Sequence, residues 1–238
     1  MDFFNPNDPN LASLEQVAAA LGPELCDELV IVGGVAAGLL ITDLALPAIR
    51  RTLDVDVLTP AQALTEHHQF EERLRQRGFI QDPSADAPVC RWLIEDIPVD
   101  LLPTRVEVLG FTNRWYELGA QTADSRVLPS GQRIRVMRAP EFIASKLEAF
   151  HGRGQGDYLY SHDIEDIISV MDGRDTLLEE VMASDASLRD YLSAEFTRLL
   201  TDPRFRDALP GHLPPDEASQ DRLPDLMKKL QRISDSRY

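Results

Sequence analysis

Short apolar runs, set off by glycine and proline, organise the first part of the chain. Leu11, Leu14, Ala18 and Leu21 recur at helical spacing and predict a helix over residues 12–21, ended by Gly22-Pro23. Residues 1–10 are polar, contain Pro6 and Pro9, and read as a loose arm. Leu29-Val30-Ile31-Val32 is uniformly apolar and rich in β-branched residues, which predicts a buried strand. Gly33-Gly34 follows, then a helix of small residues over 35–41, and Pro47 interrupts before Arg50-Arg51-Thr52. Residues 53–58 alternate with period two. Leu53, Val55 and Val57 share one face of the predicted strand, and Asp54 and Asp56 share the other.

A helix is expected from Thr59-Pro60 to Gln76, and strands over 89–95 and 97–102 make a hairpin with Glu95-Asp96 at its tip. A second hairpin is expected over 126–137, turning at Pro129-Ser130-Gly131-Gln132. The texture changes at Ala139-Pro140. Helical periodicity then dominates, over 141–152, 160–171, 177–182, 188–200 and 223–233. The fold class that emerges is α+β: a core of strands and helices over residues 1–138 and a helical region over 139–238.

Composition narrows the field. The chain has 238 residues, 43% of them hydrophobic and 27% charged, enough to bury a substantial core. Its net charge is −16, which argues against broad coating of DNA. Cys26 and Cys90 are the only cysteines and form no CxxC pair, so a cysteine-built zinc site is excluded; a reducing cytoplasm is expected, with a single disulfide between the two as the alternative. No signal peptide is read at the start. The apolar stretch 29–42 is too short for a bilayer, which needs roughly 20 residues.

The chemistry concentrates in Gly33-Gly34, Asp54-Val55-Asp56 and Asp100. Carboxylates at i and i+2 on a strand point to one side, and Asp100 on a later strand can join them. Aspartate is disfavoured in strands, and three side by side repel unless a cation offsets them. Hard oxygen ligands suit Mg²⁺, which keeps part of its water shell for substrate phosphates. Glycines at the strand end let backbone approach a phosphate, and the following helix N-terminus favours negative charge. A rival reading is a dinucleotide-binding βαβ unit, with Gly33, Gly34 and Gly38 as its glycines. Their spacing is GGxxxG rather than GxGxxG, and that reading gives Asp56 and Asp100 no role. Arg133 and Arg135 share a strand face and, with Arg138 nearby, are read as a local cationic strip. His67, His68, His151 and His212 have no partner at ligand spacing and read as ordinary polar positions.

Val32-Gly33-Gly34-Val35-Ala36, Arg51-Thr52-Leu53-Asp54-Val55-Asp56-Val57 and Val99-Asp100-Leu101-Leu102 together resemble the signature of the nucleotidyltransferase superfamily of DNA polymerase β. The segments 138–149 and 162–167 resemble one branch, the AbiEii/MenT-like toxins of type IV toxin–antitoxin systems. The resemblance implies a mixed-sheet nucleotidyltransferase core and transfer of a nucleoside monophosphate from an NTP to an acceptor hydroxyl. The acceptor would belong to an RNA such as tRNA, a protein or a small molecule, and an antitoxin would be the cognate partner. Asp54 and Asp56 would hold both Mg²⁺ ions. Asp100 would hold the second and help deprotonate the acceptor. Gly33 and Gly34 would lie against the triphosphate, beside Thr52. Arg51 and Lys146 would offset its charge, and Asp163, of the pair Asp163 and Asp166, would complete the site. The alternative is a protein of the same fold that binds a nucleotide or a partner without catalysis, which the complete carboxylate set disfavours.

Overall fold

The computed structural model describes residues 4–43, 46, 49–154 and 156–236. Pro47 lies outside the described residues. The chain forms two units, one of residues 1–39 and 48–138 and the other of 40–47 and 139–238.

The first unit opens with α1 (Leu11–Glu28). The expected stop at Gly22 is a break rather than an end. Gly22 adopts φ 71°, and the helix restarts at Pro23, whose fixed φ suits a first helical turn. Leu14, Val17, Ala18, Leu21 and Leu25 form its buried face. Each of the larger aliphatics contributes about 1.5–3 kcal/mol by leaving water. Strand β1 (Val30–Val32) is buried throughout and leads into α2 (Gly33–Leu40). Strand β2 (Val55–Thr59) begins two residues later than its alternation predicts, so Leu53 is 83% exposed rather than on the core face.

The remaining elements of this unit are α3 (Leu64–Gln76), β3 (Ile80–Gln81), β4 (Arg91–Ile94), β5 (Ile97–Pro103), α4 (Val106–Leu109), α5 (Tyr116–Thr122), β6 (Asp124–Val127) and β7 (Arg133–Val136). The strands form one mixed sheet in the order β3-β4-β5-β2-β1-β7-β6. Both predicted hairpins are present, β4–β5 turning at Glu95 and β6–β7 closing the far edge. β1 pairs antiparallel with β2 and parallel with β7, while β2 and β5 are parallel. A dinucleotide-binding unit requires its first two strands to be parallel, so the antiparallel β1–β2 pair removes that rival.

The arm before α1 is anchored at its end. Asn10 is 2% exposed. Its Nδ2 donates to the Arg50 carbonyl at 3.1 Å, and its Oδ1 accepts from the Thr52 amide at 2.8 Å. A residue read as part of a loose segment thus fixes the loop that carries Asp54.

The second unit is helical: α6 (Ala139–Arg153), α7 (His162–Gly173), α8 (Leu177–Ala183), α9 (Ala186–Thr201), α10 (Pro203–Ala208), a 3-10 turn (Leu209–His212), α11 (Glu217–Gln220) and α12 (Leu223–Ser234). Side-chain caps start several of them. Ser161 accepts from the Ile164 amide, Asp185 from that of Ser187, and Asp202 from that of Arg204, with Pro203 in the first turn. α12 lays Leu226, Leu230 and Ile233 on one face, and its last turn is tied to α9 by the Ser193 hydroxyl donating to the Ser234 carbonyl. Among the described residues no helix is long and apolar enough to cross a membrane.

Candidate metal and nucleotide site

Sheet register builds the first cluster. Asp56 on β2 is the register partner of Asp100 on β5, and Asp100 is in turn opposite Arg91 on β4. Three strands therefore place Asp56, Asp100 and Arg91 in one row. Asp54 comes just before β2, two residues from Asp56. Ligand oxygens of Asp54, Asp56 and Asp100 all lie within 4.8 Å of one another. The loop side of the cluster is held by the Thr52 hydroxyl, which donates to Asp54 Oδ1 at 3.1 Å.

Gly33 makes the cluster possible. Its φ is +66°, in the left-handed region, and a β-carbon there would collide with Oδ2 of Asp56. Gly34 is also tight, since a β-carbon would stand 3.0 Å from the Thr52 hydroxyl oxygen. Both glycines are thus spent on approach to site residues, Gly33 to a carboxylate and Gly34 to the loop carrying Asp54. Arg51 is exposed in that loop.

Arg91 was not singled out from the sequence. Its Nε donates to Asp100 Oδ1 at 2.8 Å, and its Nη2 donates to both Asp100 Oδ2 at 2.8 Å and Asp54 Oδ2 at 2.9 Å. The hydrogen bonds to Asp100 hold the guanidinium's pKa above its ordinary value. The signal for it was present. With a tip at Glu95-Asp96, counting back through Ile94–Ile97, Leu93–Pro98 and Trp92–Val99 places Arg91 opposite Asp100. Next to it Cys90 is a free buried thiol, and burial pushes its pKa up to about 12. Cys26 is likewise free and buried.

A second cluster lies in the helical unit. Lys146 on α6 is buried, 7% exposed. α6 is buried around its whole circumference from Ala139 to Leu147. The ammonium of Lys146 lies 2.6 Å from Asp166 Oδ2 and 3.3 Å from Asp163 Oδ1. Arg153 forks onto Asp163 with bonds of 2.9 and 2.7 Å. Burial raises the Asp163 pKa, but the Arg153 bonds and the Lys146 charge outweigh it and hold the carboxyl below its usual range. Ser161 caps α7, which leaves both aspartates of the i, i+3 pair turned to Lys146.

Two polar readings change. Arg135 donates to the backbone carbonyls of Ala120 at 2.7 Å and Glu28 at 3.4 Å, so it packs the sheet rather than lining a free cationic strip. His67 is fully buried, and among the described residues neither ring nitrogen has a hydrogen-bond partner. Burial depresses its pKa.

The donor set suits a hard divalent cation. All three candidate ligands are carboxylates, two come from one strand and its approach, and Gly33 leaves the space that Asp56 fills.

No family model and no curated protein matches the sequence. Among solved structures, the chain is similar to a candidate nucleotidyltransferase from H. pylori, with a TM-score of 0.44 and 13% identity over 97% of both chains. It is also similar to JHP933 from Helicobacter pylori, with a TM-score of 0.45 and 12% identity over 97% of this chain and 94% of the other.

Proposed function

We propose that the protein is a Mg²⁺-dependent nucleotidyltransferase that moves a nucleoside monophosphate from an NTP to an acceptor hydroxyl and releases pyrophosphate. One observation carries the reading: Asp54, Asp56 and Asp100 converge within 4.8 Å at the end of β1 and the start of α2. In the reaction the acceptor oxygen bonds to the α-phosphorus and the bond to the β-phosphate bridge breaks. Mg²⁺, when bound, offsets triphosphate charge and activates the attacking oxygen. Asp54 and Asp56 hold the ions, and Asp100 also takes the hydroxyl proton on a carboxylate oxygen. The Gly33-Gly34 turn brings backbone amides at the α2 N-terminus toward the triphosphate. Thr52 holds Asp54 in place, and Arg51 is the cation nearest in sequence to the carboxylates. The resemblance also names Lys146 and Asp163 as nucleotide contacts, and within the helical unit the two are paired to each other.

The test is incubation with labelled NTPs and a cell extract, asking which molecule acquires label. Transfer by the wild type with none by Asp56→Asn supports the reading, and no labelled product with any NTP and Mg²⁺ refutes it. The toxin role rests on the resemblance of 138–149 and 162–167. It predicts growth arrest by the wild type and none by Asp54→Ala, and equal toxicity of the two removes it.

A second reading treats the aspartates and Arg91 as a stabilising ion cluster only, and Arg91's three bonds favour it. The all-oxygen donor set, converging within 4.8 Å, favours the metal reading. A stabilising thermal shift with Mg²⁺·NTP that chelator abolishes separates the two.

A further inference from the structure

We infer that Arg91 is a built-in counter-cation of the carboxylate cluster, holding Asp54 and Asp100 in the absence of a divalent ion and releasing Asp54 when one binds. The inference rests on the metal-site reading above and adds to it a device that sets how readily the metal enters.

The argument starts from the shape of Arg91's grip. Its hold on Asp100 is a two-point fork through Nε and Nη2, a geometry that a planar guanidinium matches to a carboxylate. Its hold on Asp54 is a single bond through the same Nη2. Arg91 is therefore anchored to its cross-strand partner on β5 and reaches from there to the strand beyond. A cation placed among Asp54, Asp56 and Asp100 must draw on oxygens that now accept from Arg91, and its charge repels the guanidinium. Asp100 has two oxygens, each with more than one lone pair, so it can keep the fork and still serve a cation. The shared Nη2 contact to Asp54 is the weakest point and gives way first.

Two consequences follow. Without metal, Arg91 offsets the mutual repulsion of Asp54 and Asp100. With metal, it competes. Removing it should loosen the metal-free protein and tighten metal binding together, a pairing that a purely structural salt bridge would not produce.

The experiment uses the full-length protein and Mn²⁺, which takes the same oxygen donors and reports its free concentration by electron paramagnetic resonance. Wild type, Arg91→Met, Arg91→Lys and Asp56→Asn are titrated, and each is melted in chelator and in saturating Mn²⁺. Arg91→Met is expected to bind Mn²⁺ at least tenfold tighter than wild type, about 1.4 kcal/mol. It should melt lower in chelator and recover in Mn²⁺. Arg91→Lys keeps the charge but cannot fork, and should fall between the two. Should Arg91→Met not fold, Arg91→Lys decides, with tighter binding than wild type expected. Asp56→Asn that loses Mn²⁺ while the Arg91 variants bind as wild type, or more weakly, overturns the role of Arg91 alone. Asp56→Asn that binds Mn²⁺ as wild type overturns the metal-site reading and this inference with it.

Discussion

Gly33 and Asp56 are matched by contact: the space where a β-carbon on Gly33 would stand is filled by the carboxylate of Asp56. The pair ties the first glycine after β1 to the cluster, because register places Asp56 opposite Val32, the residue before it. Gly33→Ala should therefore fail twice. The left-handed backbone costs a side chain roughly 1–2 kcal/mol, and Asp56 must move aside. The expected result is a lower melting temperature together with weaker Mn²⁺ binding. A variant that melts lower but binds Mn²⁺ as wild type would mean Asp56 is not held by this contact.

Asp56→Asn keeps the shape of a ligand and removes its charge. Transfer should fall by orders of magnitude, since the metal stabilises both the attacking and the leaving oxygen. Stability in chelator should hold or rise, because fewer like charges are crowded together. Near-normal transfer by this variant would place the active site elsewhere.

The carboxylates were legible because a strand has a strict period of two, so Asp54-Val55-Asp56 puts both aspartates on one side wherever the strand pairs. The partner strands were also legible, and the hairpin tip fixes the register that sets Arg91 opposite Asp100. What escaped is what depends on tertiary packing. Leu53 reads as core by alternation, but the ladder begins at Val55. Asn10 looks like arm and is a loop clamp, since its partners are backbone groups of residues 50 and 52. α4 and α5 left no mark because they are only 4 and 7 residues long, too short to show a helical period. The surroundings of Lys146 were hidden for a related reason. Helical periodicity assumes one wet face, and α6 has none over its first nine residues.

Lys146 is now placed between two buried carboxylates, whose side chains are 4% and 2% exposed. Lys146→Met leaves Asp163 with Arg153 and removes the ammonium 2.6 Å from Asp166. Breaking a buried ion pair from one side costs about 3–5 kcal/mol. Urea denaturation should show a loss of that size, and Lys146→Met with Asp166→Asn should recover most of it. A single-variant loss under about 1 kcal/mol, the scale of an exposed pair, would mean that the ammonium is not compensating a buried charge.

His67 adds a pH-dependent contribution to the stability of the first unit. The ring is fully buried on α3, and neither nitrogen has a hydrogen-bond partner among the described residues. Glu71 is the nearest acid, with an oxygen 3.9 Å from Nε2. Burial, opposed by the Glu71 charge and reinforced by His68, holds the folded-state pKa below the ordinary 6.5. The sign then follows. Below about pH 6.5 the unfolded chain takes up a proton on His67 that the folded chain refuses, so the unfolded state binds more protons and stability falls as pH falls. The contribution is full above that value and is lost progressively down to the folded pKa. The slope is at most about 1.4 kcal/mol per pH unit for one group. The measurement is the difference between wild type and His67→Leu in urea denaturation at several pH values from 7 to 5, in which everything common to the two proteins cancels. Leucine fills an apolar site and cannot protonate. The variant should gain on the wild type steadily as pH drops below 6.5. A difference that stays flat across that range would show that His67 protonates as readily folded as unfolded, and that its burial admits a partner for the charged ring.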